Sequence, residues 1–414
     1  MSRNIYMIRQ FLQRKIVRDA SWYTVANAIV QISSLIGVLF VSRYLGPTNL
    51  GLYAFVQNVT AVFVTVLASM DIYANWHIVS NTEKEKELSI YTYQKLYIAI
   101  MLCIILGVFS FLFLPRDVSI LTLSLCIPIL TSVFSSYIFI AQHKSNARLV
   151  AVGIGASALL LLILKLGAVF AGSSLQYFVI INSLDGILLT LLCVLAYKKQ
   201  EGQAFFRYKP KKQDFIHLAQ GSFFPLLYLL FWFVVVRLDQ FLVPLYFNAF
   251  SLGVYSSAVK VIEMTNVIIV IMQALIIPRI VQINNPETGL RSMHIAIALY
   301  LCAGLGTAVA IFVLAPFVVE ILFGQDFIQT VSILRVYAWS IPGLFVSYLF
   351  SVVFMSQKNF KLLALHAAFF AIVTSTLLMF VFIKKGIVAT ASVSIIVYTA
   401  SACVYYILWR YKKY

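Results

Sequence analysis

Charged residues are scarce in this 414-residue chain, and the common motifs of catalysis are missing from it. Asp, Glu, Lys and Arg together make up 11% of the residues, whereas an ordinary soluble domain carries about 25%. The sequence contains no GxSxG, HExxH, Walker-type phosphate loop or CxxC pair, and its five cysteines and five histidines are scattered singly. These absences argue against a hydrolase, a metal centre and ATP hydrolysis within the chain.

Long apolar runs take the place of the missing charge. Apolar residue types account for 62% of the chain, and about 20 consecutive apolar residues suffice to cross a bilayer. The runs are separated by short turns, which predicts an all-α integral membrane protein with about twelve transmembrane helices. The predicted spans lie near residues 21–45, 51–80, 96–114, 118–141, 149–171, 176–197, 215–246, 253–283, 293–314, 328–355, 361–383 and 386–409.

Basic residues are concentrated on one side of these spans. The net charge of +17 would suggest a nucleic-acid partner in a soluble protein, but here the cations lie in short patches between apolar runs. One patch is the N-terminal arm, and another is the predicted loop after span 2 with Lys84, Lys86 and Lys95. Because Lys and Arg favour the cytoplasmic side, we expect cytoplasmic termini and no nucleic-acid partner.

A short motif occurs twice and divides the chain into halves. The pattern Leu-Gly-x-Tyr, written LGxY below, occurs at Leu50, Gly51 and Tyr53. It occurs again 202 residues later, at Leu252, Gly253 and Tyr255. Six spans per half give both halves the same orientation, so we predict two six-helix lobes related by a parallel pseudo-two-fold axis. The predicted domains are an N-terminal lobe over 1–197 with an amphipathic arm, a basic cytoplasmic linker over 198–213, and a C-terminal lobe over 214–414.

Polar side chains form stripes along the first two spans of each half. In span 1, Asn27, Gln31 and Ser34 share one helical face, and in span 8 Ser256, Lys260 and Glu263 do. Such stripes indicate either hydrogen bonding between helices or a water-filled cleft. The length and matched position of the stripes favour a cleft between the lobes.

Ionisable residues within the spans are the candidate site residues, since each costs roughly 2.5 to 3.5 kcal/mol at the bilayer centre. Lys260 and Glu263 are three residues apart and can pair along one helix. Arg237 and Asp239 are two apart, so each needs a partner elsewhere. Two cations lie near the outer interface, where their stems could reach water. The deep group is Asp71, Asp185, Arg237, Asp239, Lys260 and Glu263, and the shallow pair is Lys165 and Arg335.

Cations in the wall of an aqueous cleft favour an anionic ligand, because Arg and Lys bind phosphate well. Arg237 and Lys260, with Lys165 and Arg335, are therefore the candidate substrate-binding residues. The carboxylates have two interpretations: they balance the cations, or they exchange protons or sodium ions and couple transport to a gradient. These coupling or counter-charge candidates are Asp71, Asp185, Asp239 and Glu263.

Several longer motifs carry a family resemblance. They are SRYLGPTNLGLYAF (42–55), RLDQFLV (237–243), SLGVYSSAVKV (251–261), IIPRI (276–280) and ILFGQDF (321–327). With these motifs in this order, the chain resembles the polysaccharide transporter branch of the multidrug, oligosaccharidyl-lipid and polysaccharide exporter superfamily. One departure is MDIYANWHI (70–78), where that family commonly has a glycine-containing segment and a basic residue, so Asp71 is atypical.

The resemblance implies a flippase of the bacterial inner membrane. Such a protein moves an undecaprenyl-diphosphate-linked oligosaccharide, for example an O-antigen unit, by alternating access between two lobes and without a bound cofactor. The expected partners are that lipid-linked substrate, the bilayer and other glycan-assembly membrane proteins. An ion-coupled drug or metabolite antiporter of the same superfamily is the alternative within transport. A membrane glycan polymerase is a weaker alternative, because the predicted outer loops are too short to hold a catalytic site.

Overall fold

The chain is helical except for short turns in the part that the computed structural model describes, which is residues 2–80, 84–113, 119, 122–135, 147–184, 186–187, 191, 208–281, 286–384 and 386–412. In a membrane this follows from backbone chemistry, since lipid offers no partner to a peptide group and a helix satisfies each one internally. Contacts divide the chain into two compact units. Unit 1 is Met1–Val41 with Phe63–Ser222, and unit 2 is Ser42–Val62 with Phe223–Tyr414.

The first five helices supply most of unit 1. They are α1 (Ser2–Ser80), α2 (Lys84–Phe113), α3 (Cys126–Thr131) with a 3₁₀ turn at Ser132–Ser135, α4 (Ala147–Phe170) and α5 (Leu175–Ser183). The long α1 covers predicted spans 1 and 2 and is broken at Gly46, whose φ of 68° is a left-handed value that glycine adopts without strain. Pro47 follows the break, so the chain changes direction here although the helical run is nearly continuous.

Unit 2 is built mainly from the second half of the chain. Its helices are α6 (Lys212–Tyr246, of which the first residues belong to unit 1), α7 (Ala249–Met264), α8 (Asn266–Val281), α9 (Pro286–Leu322), α10 (Thr330–Ala338), α11 (Ile341–Ser356), α12 (Phe360–Lys384) and α13 (Gly386–Lys412). The tenth predicted span is a broken one, because α10 and α11 are bent by 51° at a short interruption.

Glycine allows close helix packing inside unit 2. A Cβ atom at Gly304 of α9 would lie 2.7 Å from Pro342 Cα, and one at Gly343 of α11 would lie 2.6 Å from Thr399 N. Both distances are too short for any side chain, so these backbones touch only because glycine is present. Small residues at helix contacts are characteristic of membrane proteins, in which van der Waals packing drives association.

The two LGxY motifs meet directly within unit 2. A Cβ atom at Gly51 would overlap the carbonyl oxygen of Ala249, and a Cβ atom at Gly253 would overlap that of Pro47. Each of these Cβ atoms would also lie close to the amide nitrogen of the other glycine. The repeat identified in the sequence is therefore a physical contact between segment 47–51 and the start of α7.

Two of the family-like motifs also meet, at the C-terminus of α9. The helix ends at Leu322. Gly324 follows with a φ of 89°, and its amide returns to the Val319 carbonyl at 3.2 Å, the geometry of a glycine C-cap. Nη2 of Arg43 donates to the carbonyl of Ile321 at 2.6 Å, and Oγ of Ser42 donates to that of Leu322 at 3.2 Å. A cation at this end also complements the helix dipole.

The predicted fold class is confirmed: the chain is an all-α integral membrane protein with about twelve helices. Among the described residues, eight helices are long and apolar enough to span a bilayer, or nine with the bent pair, and one of them holds predicted spans 1 and 2. Predicted spans 4 and 6 are only partly described. The division into lobes at 1–197 and 214–414 stays a prediction, and much of the linker lies outside the described residues.

Candidate functional site

Three charged side chains from neighbouring helices form a group in unit 2. Arg237 of α6 makes an ion pair with Glu263 of α7, and Nζ of Lys260 lies 3.9 Å from the same carboxylate. Two cations and one carboxylate leave a net positive charge. The side chains of Arg237 and Glu263 are each 26% exposed and that of Lys260 is 40% exposed, so a ligand can reach all three.

The local pair expected between Lys260 and Glu263 is present, but it is not the principal contact. Glu263 is closer to Arg237, which as expected has its partner on another helix. One turn of α7 thus places the Glu263 carboxylate against Arg237 and places a second cation, Lys260, beside that carboxylate. We refer to Arg237, Lys260 and Glu263 below as the charged triad.

Asp239 lies next to the triad in sequence but in a different environment. It is only 6% exposed, and its carboxylate accepts a hydrogen bond from Tyr255 Oη at 2.5 Å and from the backbone amide of Gln240 at 2.8 Å. Its side-chain partner is therefore on α7, as the two-residue spacing from Arg237 required. The carboxylate is thus enclosed in the protein with two hydrogen-bond donors, a hydroxyl and a backbone amide.

Aromatic side chains pack around this part of unit 2. Tyr255 packs edge-on against Tyr337, with ring centroids 6.2 Å apart. The ring centroid of Trp232 lies 6.2 Å from that of Tyr348 and 6.3 Å from that of Tyr398. Rings with polar tips can contact both hydroxyl-bearing and apolar ligands. No pattern in the sequence predicts a role for these tyrosines, although Tyr255 is the tyrosine of the second LGxY motif.

A second buried ion pair lies in unit 1 between Asp71 of α1 and Lys95 of α2. Lys95 Nζ is 2.9 Å from Asp71 Oδ1 and 2.7 Å from the carbonyl oxygen of Ser132. Oγ of Ser135 is 2.7 Å from the same ammonium and donates to Asp71 Oδ2 at 2.7 Å. The Lys95 side chain is 0% exposed and that of Asp71 is 13% exposed.

The prediction that Lys95 lies in a cytoplasmic loop is wrong. Helix α2 begins at Lys84 rather than near residue 96, so Lys95 is well inside the helix and its side chain points into unit 1. The signal available in the sequence was Asp71 itself, because a carboxylate within a span needs a cation or donor. Lys95 occupies that position.

The remaining candidates are dispersed. Nζ of Lys165 donates to Oδ1 of Asn182 at 3.4 Å within unit 1. Arg335 is exposed on α10, where its Nε lies 3.4 Å from the Phe312 carbonyl and its guanidinium lies over the Phe312 ring. Asp185 lies outside the described residues. No role for these residues follows from their positions alone.

The polar face predicted on span 1 is not packed against protein. Asn27, Gln31 and Ser34 of α1 are all exposed. Polar side chains at membrane depth are unfavourable against lipid and are usually found where water or protein can bond them. Their exposure leaves them open to water or to another polar partner, and the apolar Ile32 and Leu35 beside them are exposed as well.

The fold and these polar surfaces define a polytopic membrane protein with charged groups inside its helical units. A family model described as "Polysaccharide biosynthesis protein" matches residues 16–284, which is more than half of the chain. The chain belongs to this family. A comparison with curated proteins gave no significant match.

Solved structures with the same fold are transporters. The lipid II flippase MurJ in an inward closed conformation matches with a TM-score of 0.75 at 15% identity, covering 94% of this chain and 87% of that one. An inward-facing multidrug resistance MATE transporter matches with a TM-score of 0.68 at 13% identity, covering 93% and 94%. A transporter from Pyrococcus furiosus, described as having reversed polarity of its binding pocket, matches with a TM-score of 0.66 at 14% identity, covering 96% and 95%. At these identities the likeness concerns the fold.

Proposed function

We propose that the protein is a flippase that moves an undecaprenyl-diphosphate-linked oligosaccharide, such as an O-antigen unit, across the bacterial inner membrane by alternating access. The observation that carries the proposal is the charged triad, in a chain whose family is one of polysaccharide biosynthesis. A diphosphate needs cations that a ligand can reach in a partly desolvated site, and Arg237 and Lys260 meet that requirement. The fold shared with a lipid II flippase supports the same function.

In this proposal Glu263 takes the place of the substrate when the site is empty. The carboxylate neutralises Arg237, which limits the cost of a partly buried cation. An arriving diphosphate competes with Glu263 for Arg237 and Lys260, and the carboxylate recovers both cations when the product leaves. Glu263 thereby weakens binding and favours release, as a transporter requires.

The other candidate residues keep narrower roles. Lys165 and Arg335 are proposed as additional contacts for the diphosphate or for acidic sugars during passage. Asp239 is the proposed site at which a proton or sodium ion couples transport to a gradient, because it is a buried carboxylate two residues from Arg237 of the charged triad. Asp185 is retained as a coupling candidate from the sequence alone. Asp71 is proposed as a counter-charge, since its carboxylate is engaged by Lys95.

The test compares surface glycan in cells that depend on this protein. We expect Arg237→Ala and Lys260→Ala to lower the rate of glycan export about tenfold or more, the effect of losing one hydrogen bond to a charged group. Complete lipid-linked units should accumulate on the cytoplasmic side. Lys209→Ala is the matched control, because it removes an exposed cation outside the triad. Glu263→Gln should bind the lipid-linked substrate more tightly while releasing it more slowly.

The same experiment separates the alternatives. Full glycan export by Arg237→Ala and Lys260→Ala proteins that are present at normal levels would contradict the proposal. The fold of multidrug MATE transporters favours an ion-coupled antiporter as the second candidate. Loss of drug or metabolite efflux in these variants with normal glycan would support it. Single glycan units displayed outside but never polymerised would instead indicate a polymerase.

A further inference from the structure

A cavity of about 430 Å³ opens between α12 and α13 in unit 2. Its apolar wall includes Leu365 and Phe369 of α12 and Val404 and Leu408 of α13. Leu365 is 63% exposed and Phe369 is 56% exposed, so the cavity opens to the surroundings rather than into the unit. Its volume falls within the roughly 300 to 1,000 Å³ of small-molecule sites, and in a membrane its apolar wall would contact a hydrocarbon chain.

The other end of the cavity is polar and lies at the N-terminus of α12. Asn359 immediately precedes the helix and Lys361 is in its first turn, and both line the cavity. The first turn of a helix presents unpaired backbone amides and a partial positive charge, which together with a lysine make a site for an anion. The polar end therefore favours a negatively charged group.

Two buried polar atoms at this cavity have no hydrogen-bond partner within the part of the chain that the structure describes. His366 lines it, is 5% exposed and stacks on the Tyr405 ring with centroids 3.5 Å apart. Its Nε2 lies 3.3 Å from the Ser401 carbonyl, whereas its Nδ1 finds no hydrogen-bond partner among the described residues. The same holds for Nδ2 of Asn359. Buried polar atoms are nearly always bonded, so these two indicate a ligand that supplies hydrogen-bonding groups.

We propose that this cavity binds an anionic glycerophospholipid such as phosphatidylglycerol. The phosphate would lie at Lys361, Asn359 and the N-terminus of α12, the headgroup glycerol would lie towards His366, and one acyl chain would lie along Leu365 and Val404. On the predicted orientation Lys361 is cytoplasmic, and the cytoplasmic leaflet is where anionic lipids attract basic residues. The site is separate from the charged triad, because the described lining comes from α12, α13 and the turn before α12.

The experiment is native mass spectrometry of the purified full-length protein titrated with phosphatidylglycerol or with zwitterionic phosphatidylethanolamine of the same acyl chains. We expect phosphatidylglycerol to bind at least about fivefold more tightly, which corresponds to one lysine acting on an anionic headgroup. Lys361→Ala should remove that preference. Val404→Trp should block binding of both lipids at this cavity by filling its apolar part.

Controls keep the result decisive. Lys209→Ala removes an exposed lysine elsewhere and should leave the preference intact. Leu365→Trp is a second blocking variant, because an exposed position tolerates a larger ring without disturbing the fold. Equal binding of the two lipids, or a preference unchanged in Lys361→Ala, would overturn the proposal. So would tighter binding of a polyprenyl diphosphate than of phosphatidylglycerol at the Lys361-dependent site, which would assign the cavity to a prenyl lipid instead.

Discussion

At the scale of single residues, the ion pair between Asp71 and Lys95 joins two different helices, α1 and α2, so no spacing along one helix predicts it. The apolar run begins immediately after Lys95 and therefore predicts a loop at that residue, but α2 begins twelve residues before the run, at Lys84, and includes Lys95. The long lysine stem then points into the unit and the ammonium reaches the carboxylate. A buried ion pair of this kind is most costly when only one partner is removed.

Removing one partner is therefore the informative change. Asp71→Asn leaves the Lys95 ammonium buried without its carboxylate and should lower the free energy of unfolding by about 3 to 5 kcal/mol. The double variant Asp71→Asn/Lys95→Met should recover most of that loss. Thermal unfolding of the purified protein measures the ranking of the three proteins.

Transport by the double variant separates the two interpretations of Asp71. Glycan export near the wild-type level would agree with a counter-charge, whereas a folded but inactive double variant would assign the carboxylate a part in coupling. A double variant that loses as much stability as the single variants Asp71→Asn and Lys95→Met together would show that the residues do not act as a pair.

The charged triad illustrates what residue spacing can and cannot predict. The two-residue offset between Arg237 and Asp239 correctly required side-chain partners outside their own helix, and the side-chain partner of each is on α7. The three-residue spacing of Lys260 and Glu263 allowed a local pair but could not rank it against Arg237. That ranking depends on how α6 and α7 are rotated against each other.

At the scale of helices and connections, the contact between the two LGxY motifs rests on the absence of side chains. Backbone meets backbone at Gly51 and Gly253, so an added methyl group cannot be accommodated by moving a flexible side chain. The motif was recognised in the sequence as a repeat. In the structure the two copies cross closely, and this contact explains why both contain glycine.

A single methyl group should disturb that crossing. Gly253→Ala places a Cβ atom on the Pro47 carbonyl, and we expect a loss of about 1 to 3 kcal/mol in unfolding free energy, the usual cost of overpacking. Gly306→Ala is the matched control, because nothing lies within 4 Å of a Cβ atom there. Thermal unfolding of both proteins measures the difference. Equal stability of the two variants would argue against the close contact.

At the scale of the whole molecule, the sequence predicts which side of the membrane each connection occupies. The prediction rests on the excess of Lys and Arg in alternate loops. It places the connection between α4 and α5 outside and the basic segment before α6 in the cytoplasm. Ser174 represents the first connection and Lys209 the second, and both residues are exposed.

Cysteine labelling tests this orientation. In a protein whose five native cysteines are replaced by serine, we expect a membrane-impermeant maleimide to label Ser174→Cys in intact cells. Lys209→Cys should react only after the inner membrane is permeabilised. The reverse pattern would invert the orientation and place Lys361, with the proposed phospholipid site, at the outer leaflet.

The sequence by itself determined the class of the protein, the approximate spans, the repeat and the set of intramembrane charges, because each depends on local composition or on spacing along one helix. Only the tertiary structure decided that Glu263 pairs with Arg237, that Lys95 is buried against Asp71 and that Gly51 packs on Gly253. These contacts depend on the rotation and offset of separate helices. Helix packing fixes that geometry through many weak contacts distributed along the whole chain, so no short pattern of residues predicts it.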